Sequence, residues 1–268
     1  MVVFDHEKCI GCGLCAADCF PRAIGIENRK AYFIENHNCM ECGHCIAVCP
    51  RSAVKIESLD MDEVQELQDI SNCIDPETYI NHLKARRTIR SFTDETVSTE
   101  QINMILEAGR FSPTGGNRQT VAYHIFRDRI SEFRSLIIDE LKTMGDEVRA
   151  SGIRDSWYPD FWLDMYNEFK AEGRDSLFFN AGTVIVIASD SPQAAMIAAA
   201  HMETMVYALG LGMLYSGFTT RAAEHSTGLQ EYLGLKEGYK VWTVLAIGYP
   251  KVKYQRTVPR KKADVIWD

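Results

Sequence analysis

The sequence predicts an α+β protein of two unequal modules: a small cysteine-rich one, then a larger domain with a mostly antiparallel sheet and a long central helix. Three observations predict it. Eight of the nine cysteines lie within residues 9–49, in two runs that repeat. Farther along, Thr183–Ala188 and Val244–Pro250 are apolar and rich in β-branched residues, as strands are. Between them an apolar stretch opens on Ser191, an N-cap residue, with Pro192 at the first helical position. It runs to about Leu209 and stops at Gly210-Leu211-Gly212. The expected divisions are residues 1–58, a helical connector over 59–85, and a domain over 86–268.

Composition bounds the rest. With 46% apolar and 25% charged residues in 268, the chain can fill a real core. A net charge of −8 argues against a nucleic-acid binder, which is normally basic. Met1–Lys8 is charged and lacks the apolar stretch of a secretory signal. The most apolar region, Ala194–Phe218, carries His201, Glu203 and several glycines, which fits a buried helix and not a membrane span. Grouped cysteines without such a signal point to metal in a reducing cytoplasm.

In the first module Cys9, Cys12, Cys15 and Cys19 recur thirty residues later as Cys39, Cys42, Cys45 and Cys49. Gly13 matches Gly43, Ala23 matches Ala53, and Ile24 and Ile26 match Val54 and Ile56. Each unit reads C-x2-C-x2-C-x3-C. Three closely spaced thiolates wrap one corner of an iron–sulfur cube, and a fourth must come from elsewhere. Gly11, Gly13 and Gly43 let backbone amides approach the sulfides. A tetrahedral zinc site would be oversupplied by four cysteines in eleven residues, given twice. The repeat resembles bacterial two-cluster ferredoxins, in which the fourth cysteine of each run serves the other cluster. That resemblance implies one 4Fe–4S cluster on Cys9, Cys12, Cys15 and Cys49, and a second on Cys39, Cys42, Cys45 and Cys19. Pro50 follows Cys49 as the pattern expects; after Cys19 the proline comes one position late, at Pro21. Cys73, outside the repeat, reads as a small buried residue.

In the connector, Leu59, Met61, Val64, Leu67 and Ile70 recur at helical spacing. This predicts a short helix, a turn near Pro76, and a second helix from about Pro76 to Ala85.

Four stretches carry the chemistry of the larger domain. Arg86-Arg87-Thr88-Ile89-Arg90-Ser91-Phe92 sets three guanidiniums and a hydroxyl in five residues, a dense anion site. Ser112-Pro113-Thr114-Gly115-Gly116-Asn117-Arg118-Gln119 reads as a tight turn with exposed amides. Ser216-Gly217-Phe218-Thr219-Thr220 follows the central helix. Val244–Pro250 ends in Gly248-Tyr249-Pro250, with Arg256, Arg260 and Lys261 beyond it. Met202, Met205 and Met213 read as core, and His201 as a packed, hydrogen-bonded histidine. Trp157, Tyr158, Phe161, Trp162, Tyr166 and Phe169 read as core or dimer contacts, with one or two free to stack on a planar substrate.

From Arg86 onward these stretches resemble the nitroreductase family of FMN enzymes. The resemblance implies that Arg86, Arg87, Thr88, Arg90 and Arg260 hold the FMN phosphate. It implies that Pro113, Thr114, Gly115, Asn117 and Gln119 lie along the flavin ring, and that Gly217, Thr219 and Thr220 sit near its N5. Thr120-Val121 stands where the family usually has Pro-Trp. The family forms intertwined homodimers with FMN at the interface. The expected activity is passage of electrons from the two clusters to FMN and on to a small aromatic or conjugated substrate: a nitroaromatic, quinone, activated alkene or halogenated phenol. A ferredoxin or similar low-potential protein is the expected donor. No side chain stands out as an acid or base, so catalysis is centred on the flavin. The rival readings are an NAD(P)H-fed FMN reductase, an electron carrier and a redox sensor. No GxGxxG followed by an acidic residue signals a built-in dinucleotide domain.

Overall fold

A computed structural model describes residues 1–67, 74–152 and 156–268. It divides into two compact units, Met1–Cys73 with Gly115–Arg118, and Ile74–Thr114 with Gln119–Asp268.

In the first unit, β1 (Val2–Phe4), α1 (Leu14–Ala17) and β2 (Ile24–Glu27) are followed by β3 (Lys30–Phe33), α2 (His44–Ala47) and β4 (Val54–Ile56). The sequence repeat is a structural one: α1 and α2 each span four residues and start after a left-handed glycine, Gly13 at φ +82° and Gly43 at φ +74°. β1 pairs antiparallel with β4, and β2 with β3. Val2, Ile24, Ala31, Val54 and Ile56 form a small core together with Cys15 and Cys45.

The connector departs from expectation in its first half. Met61–Glu63 is a single 3-10 turn, and residues 64–67 form no regular element. The spacing was helical, but Val64 and Leu67 are 53% and 76% exposed, so no apolar face is buried to stabilise a helix. Ile70 and Cys73 lie outside the described residues. The second half is as the sequence predicts: α3 spans Pro76–Ala85, with Asp75 capping through the Thr78 amide.

The second unit continues with α4 (Thr99–Arg110), β5 (Ala122–Phe126), α5 (Ile130–Ala150), α6 (Tyr158–Glu172), β6 (Thr183–Ser189) and α7 (Pro192–Ala208). Then come β7 (Gly212–Tyr215), α8 (Gly217–His225), α9 (Thr227–Tyr232) and β8 (Lys240–Gly248). The sheet runs β5-β6-β8-β7, and every neighbouring pair is antiparallel. Alternation along β6 and β8 explains the layers. Ile185, Ile187, Leu245 and Ile247 face α4 and α7, in one core with Ile102, Ile105, Ala199 and Met202. Val184, Val186, Val244 and Ala246 face the opposite core, with Phe133, Ile137 and Leu141 of α5 and Trp162 of α6. Both faces are covered, so these strands read as apolar runs. Burying a side chain such as Phe133 or Ile137, both 0% exposed, contributes about 1.5–3 kcal/mol each.

Ser191 caps α7 through the Ala194 amide, and Pro192 sits in its first turn, as the sequence predicts. Met202 and Met213 are buried and Met205 packs against the same core. Among the described residues no helix is long and apolar enough to cross a membrane.

Candidate cofactor sites

The eight cysteines of the repeat divide into two groups of four. Cys9, Cys12, Cys15 and Cys49 line one cavity of about 360 Å³. Cys19, Cys39, Cys42 and Cys45 line a second of about 350 Å³. The strand pairing brings this about. β4 lies against β1 and returns Cys49 toward Cys9, while the β2–β3 hairpin returns the chain from Cys19 toward Cys39.

Backbone amides already point at the sulfurs. Ala23 and Ala53, equivalent in the repeat, each donate at 3.3 Å, to Cys19 and Cys49 respectively. Ala31 donates to Cys9 at 3.5 Å and Glu41 to Cys39 at 3.3 Å. Such bonds to cluster sulfurs set reduction potentials. Burial pushes the Cys45 thiol up to about 11, and raises that of Cys15, the equivalent third cysteine. A cation that replaces the proton removes this penalty. Among the described residues no three His, Cys, Asp or Glu side chains converge as a single-ion site requires. Sulfurs ringing a cavity fit a polynuclear cluster.

In the second unit the Arg86–Arg90 run is clamped to α7 and β7. Arg86 Nη1 donates to Glu203 Oε1 at 2.9 Å. The Tyr207 hydroxyl donates to the Arg87 carbonyl. Thr88 bridges to Met213, and the Ile89 amide donates to the Met213 carbonyl at 3.0 Å. Arg87 Nη1 donates to the Arg86 carbonyl, while its Nε and Nη2 are buried without a partner. Buried donors without acceptors are costly, so a run of three guanidiniums holding such donors fits an anionic group. Arg90 is exposed.

Other residues from the sequence reading are distributed unevenly. Gly217 opens α8 and is exposed; no side chain caps that helix, because Ser216 Oγ bonds Thr219 Oγ1 at 2.7 Å instead. Thr219 is buried, and Thr220 Oγ1 donates to the Ser216 carbonyl. In the loop after Pro113, Thr114 Oγ1 accepts from the Gln119 amide at 3.0 Å. Gly115–Asn117 is a 3-10 turn belonging to the first unit, where the Asn117 amide donates to the carbonyls of Met40 and Glu41 at 3.2 and 3.0 Å. Arg260 is exposed in the segment 251–268, which has no regular structure; Tyr254 of that segment donates to the Thr88 carbonyl at 3.5 Å. His201 is hydrogen-bonded as expected, through Nδ1 to Ser112 Oγ at 2.9 Å, but it is exposed and not packed, because its face of α7 points away from the sheet.

Two family models match the chain: a 4Fe-4S dicluster domain over residues 8–53 and the nitroreductase family over residues 83–249. The chain belongs to the nitroreductase family. This nitroreductase-family protein is 25% identical over 185 residues to a protein of Archaeoglobus fulgidus named for NADH dehydrogenase/NAD(P)H nitroreductase activity, covering 65% of this chain and 87% of that one. Its fold matches an FMN-bound nitroreductase from Desulfitobacterium hafniense DCB-2 with a TM-score of 0.55 at 22% identity, covering 72% of this chain and 100% of that one. An FMN-bound nitroreductase from Bacteroides fragilis NCTC 9343 matches with a TM-score of 0.54 at 18% identity, covering 70% and 98%. The protein is thus a nitroreductase-type flavoprotein oxidoreductase carrying an N-terminal iron–sulfur domain.

Sequence reasoning missed Glu203 and Tyr207 as the groups that clamp the arginine run of this nitroreductase domain. The signal was present: Glu203 is the one acidic residue in the apolar α7, and a carboxylate there requires a partner.

Proposed function

We propose that this nitroreductase-family chain holds two 4Fe–4S clusters and one FMN, and reduces a small aromatic or conjugated substrate with electrons that enter through the clusters. When bound, the clusters carry single electrons and the flavin collects two for a substrate stacked on its ring. The observation that carries the reading is the division of eight cysteines into two near-equal cavities in a chain whose remainder is a nitroreductase domain.

The chain's own residues have defined parts. Cys9, Cys12, Cys15 and Cys49 hold one cluster; Cys39, Cys42, Cys45 and Cys19 hold the other. Arg86, Arg87, Thr88, Arg90 and Arg260 hold the FMN phosphate. Pro113, Thr114, Gly115, Asn117 and Gln119 line the ring, and Gly217, Thr219 and Thr220 lie at its N5 edge. The functional divisions are residues 1–58, 59–85 and 86–268. A cytoplasmic homodimer is part of the proposal. Exposed apolar residues support a second copy: Met196 and Ile197 on α7, and Val252, Tyr254, Val258, Ile266 and Trp267 in the C-terminal segment.

The name of the Archaeoglobus relative favours a second reading, in which NAD(P)H reduces the flavin directly. Stopped-flow flavin reduction separates the two. Reduced ferredoxin should reduce the flavin of the native protein quickly, and Cys12→Ala and Cys42→Ala variants slowly. If NADH reduces all three alike and ferredoxin reduces none, electrons do not enter through the clusters.

A further inference from the structure

We infer that Glu203 is a positioning residue for the phosphate end of the flavin site: it grips the Arg86 guanidinium through one nitrogen and leaves its other donors for the anion. This rests on the proposal that the Arg86–Arg90 run binds the FMN phosphate.

The geometry is specific. α7 is PQAAMIAAAHMETMVYA, and Glu203 is its one Asp, Glu, Lys or Arg. Its side chain is 16% exposed, and that of Arg86 28%. A carboxylate so desolvated is retained at a cost unless it is paired. Glu203 and Tyr207 stand one turn apart on one face of the helix, and both reach the same dipeptide. Glu203 takes the side chain of Arg86; Tyr207 takes the carbonyl of Arg87. β7 fixes the following residues through Met213. The run is therefore held at side chain, carbonyl and amide, which sets where its guanidiniums point.

The chemistry of arginine makes this useful. A guanidinium has five N–H donors in a rigid fork. Nη1 goes to Glu203, and the partly exposed remainder of Arg86 can meet a phosphate with little rotamer entropy left to lose. Burial raises the Glu203 carboxyl above its usual range while Arg86 pulls it back, so each group makes the other tolerable in that position. A carboxylate acting instead as a rival anion would weaken phosphate binding, and its removal would tighten it. The two roles have opposite signs.

The test uses full-length protein stripped of flavin and titrated anaerobically with FMN or riboflavin, which lacks the phosphate. The Glu203→Ala variant, and Glu203→Leu, which refills the apolar helix, should each weaken FMN about tenfold and leave riboflavin unchanged. Glu203→Gln keeps the acceptor oxygen and should stay within about threefold of native. The phosphorus NMR signal of bound FMN should move in the Ala and Leu variants and return toward native in Gln. In an Arg86→Ala background, adding Glu203→Leu should change FMN affinity by less than about threefold. Unchanged or tighter FMN binding in both Ala and Leu variants overturns the inference, as does an equal loss for riboflavin. If Arg86→Ala itself leaves FMN affinity at the native level, the phosphate assignment fails, and the inference falls with it. If Arg86→Ala weakens FMN but the Glu203 variants do not, the positioning role alone is wrong.

Discussion

Asp175 shows how much one side chain can organise. Its Oδ1 accepts from the amides of Leu177 and Phe178, and its Oδ2 from the Asn180 amide and from Arg134 at 2.7 Å. The carboxylate is fully buried. It holds a turn in which Phe179 and Asn180 both take positive φ, a costly conformation for residues with side chains. Asp175→Ala should destabilise the larger unit by about 3–5 kcal/mol, because Arg134 is then buried without its partner. Urea unfolding of that unit measures it, with Asp175→Asn expected to lose less. A titratable contact sits between α5 and α8, where His225 Nδ1 meets Glu140 at 2.6 Å and Nε2 meets Glu147 at 2.9 Å. The Glu140 contact raises the His225 pKa above its ordinary 6.5; partial burial opposes this and Glu147 adds to it. The folded value is the higher one, so protonation stabilises the fold. That contribution is complete below pH 6.5 and is lost as pH rises through the raised value. The melting temperature of native protein should exceed that of His225→Gln most at about pH 6 and least at about pH 9. A constant difference across that range would show that the contact does not titrate. Of these residues the arginine run was legible, being contiguous. The partners of Glu203 and Asp175 were not, because they are distant in sequence: a lone carboxylate in the apolar α7 signals that a partner exists without naming Arg86.

Among elements, α7 and its flanking strands were the most readable. Ser191 and Pro192 mark the start by local chemistry, and β6 and β8 are apolar on both faces because helices cover both. The failed helix after residue 58 is the instructive contrast. Its period was right, but the apolar positions Val64 and Leu67 lie in solvent, and periodicity cannot report whether a partner surface exists. In the first unit Gly11 lies so close to the β2–β3 turn that an added Cβ would stand 2.2 Å from the Arg29 carbonyl oxygen. Gly11→Ala must therefore push the β2–β3 hairpin away from the loop between Cys9 and Cys12. Iron per chain should fall by about half, with loss confined to the cavity of Cys9, Cys12, Cys15 and Cys49. Loss of both clusters, or of neither, would show that this contact does not govern that cavity.

For the whole molecule, the two units draw stability from different sources. The larger one has two extensive cores on a covered sheet. The smaller one has a handful of buried apolar residues and eight cysteines facing cavities. Small domains of this kind depend on metal for much of their folding energy. Chelation of iron under anaerobic conditions should therefore unfold the first unit while leaving the helical circular dichroism of the second. Simultaneous loss of both would show that the second unit does not stand alone. In the sequence the repeat marked a cysteine-rich first module, with divisions expected at 58 and 85, and the interleaving of its cysteines was an expectation from resemblance. The sequence had no means of assigning Gly115–Arg118 to the first unit, since only the folded chain reveals that Asn117 bonds Met40 and Glu41.

The exchange of Cys19 and Cys49 between the two cavities has a consequence for assembly. One thirty-residue half, taken alone, would own three ligands and a fourth aimed elsewhere. Two separate halves could complete each other only as a symmetric couple. The present chain is that couple tied end to end, so the cavity of Cys9, Cys12 and Cys15 cannot close during synthesis until Cys49 has emerged from the ribosome, whereas the cavity of Cys19 has its full set once Cys45 is out. A chain cut short before Cys49 then lacks a full set on one side only, and a chain that loses either half lacks a full set on both.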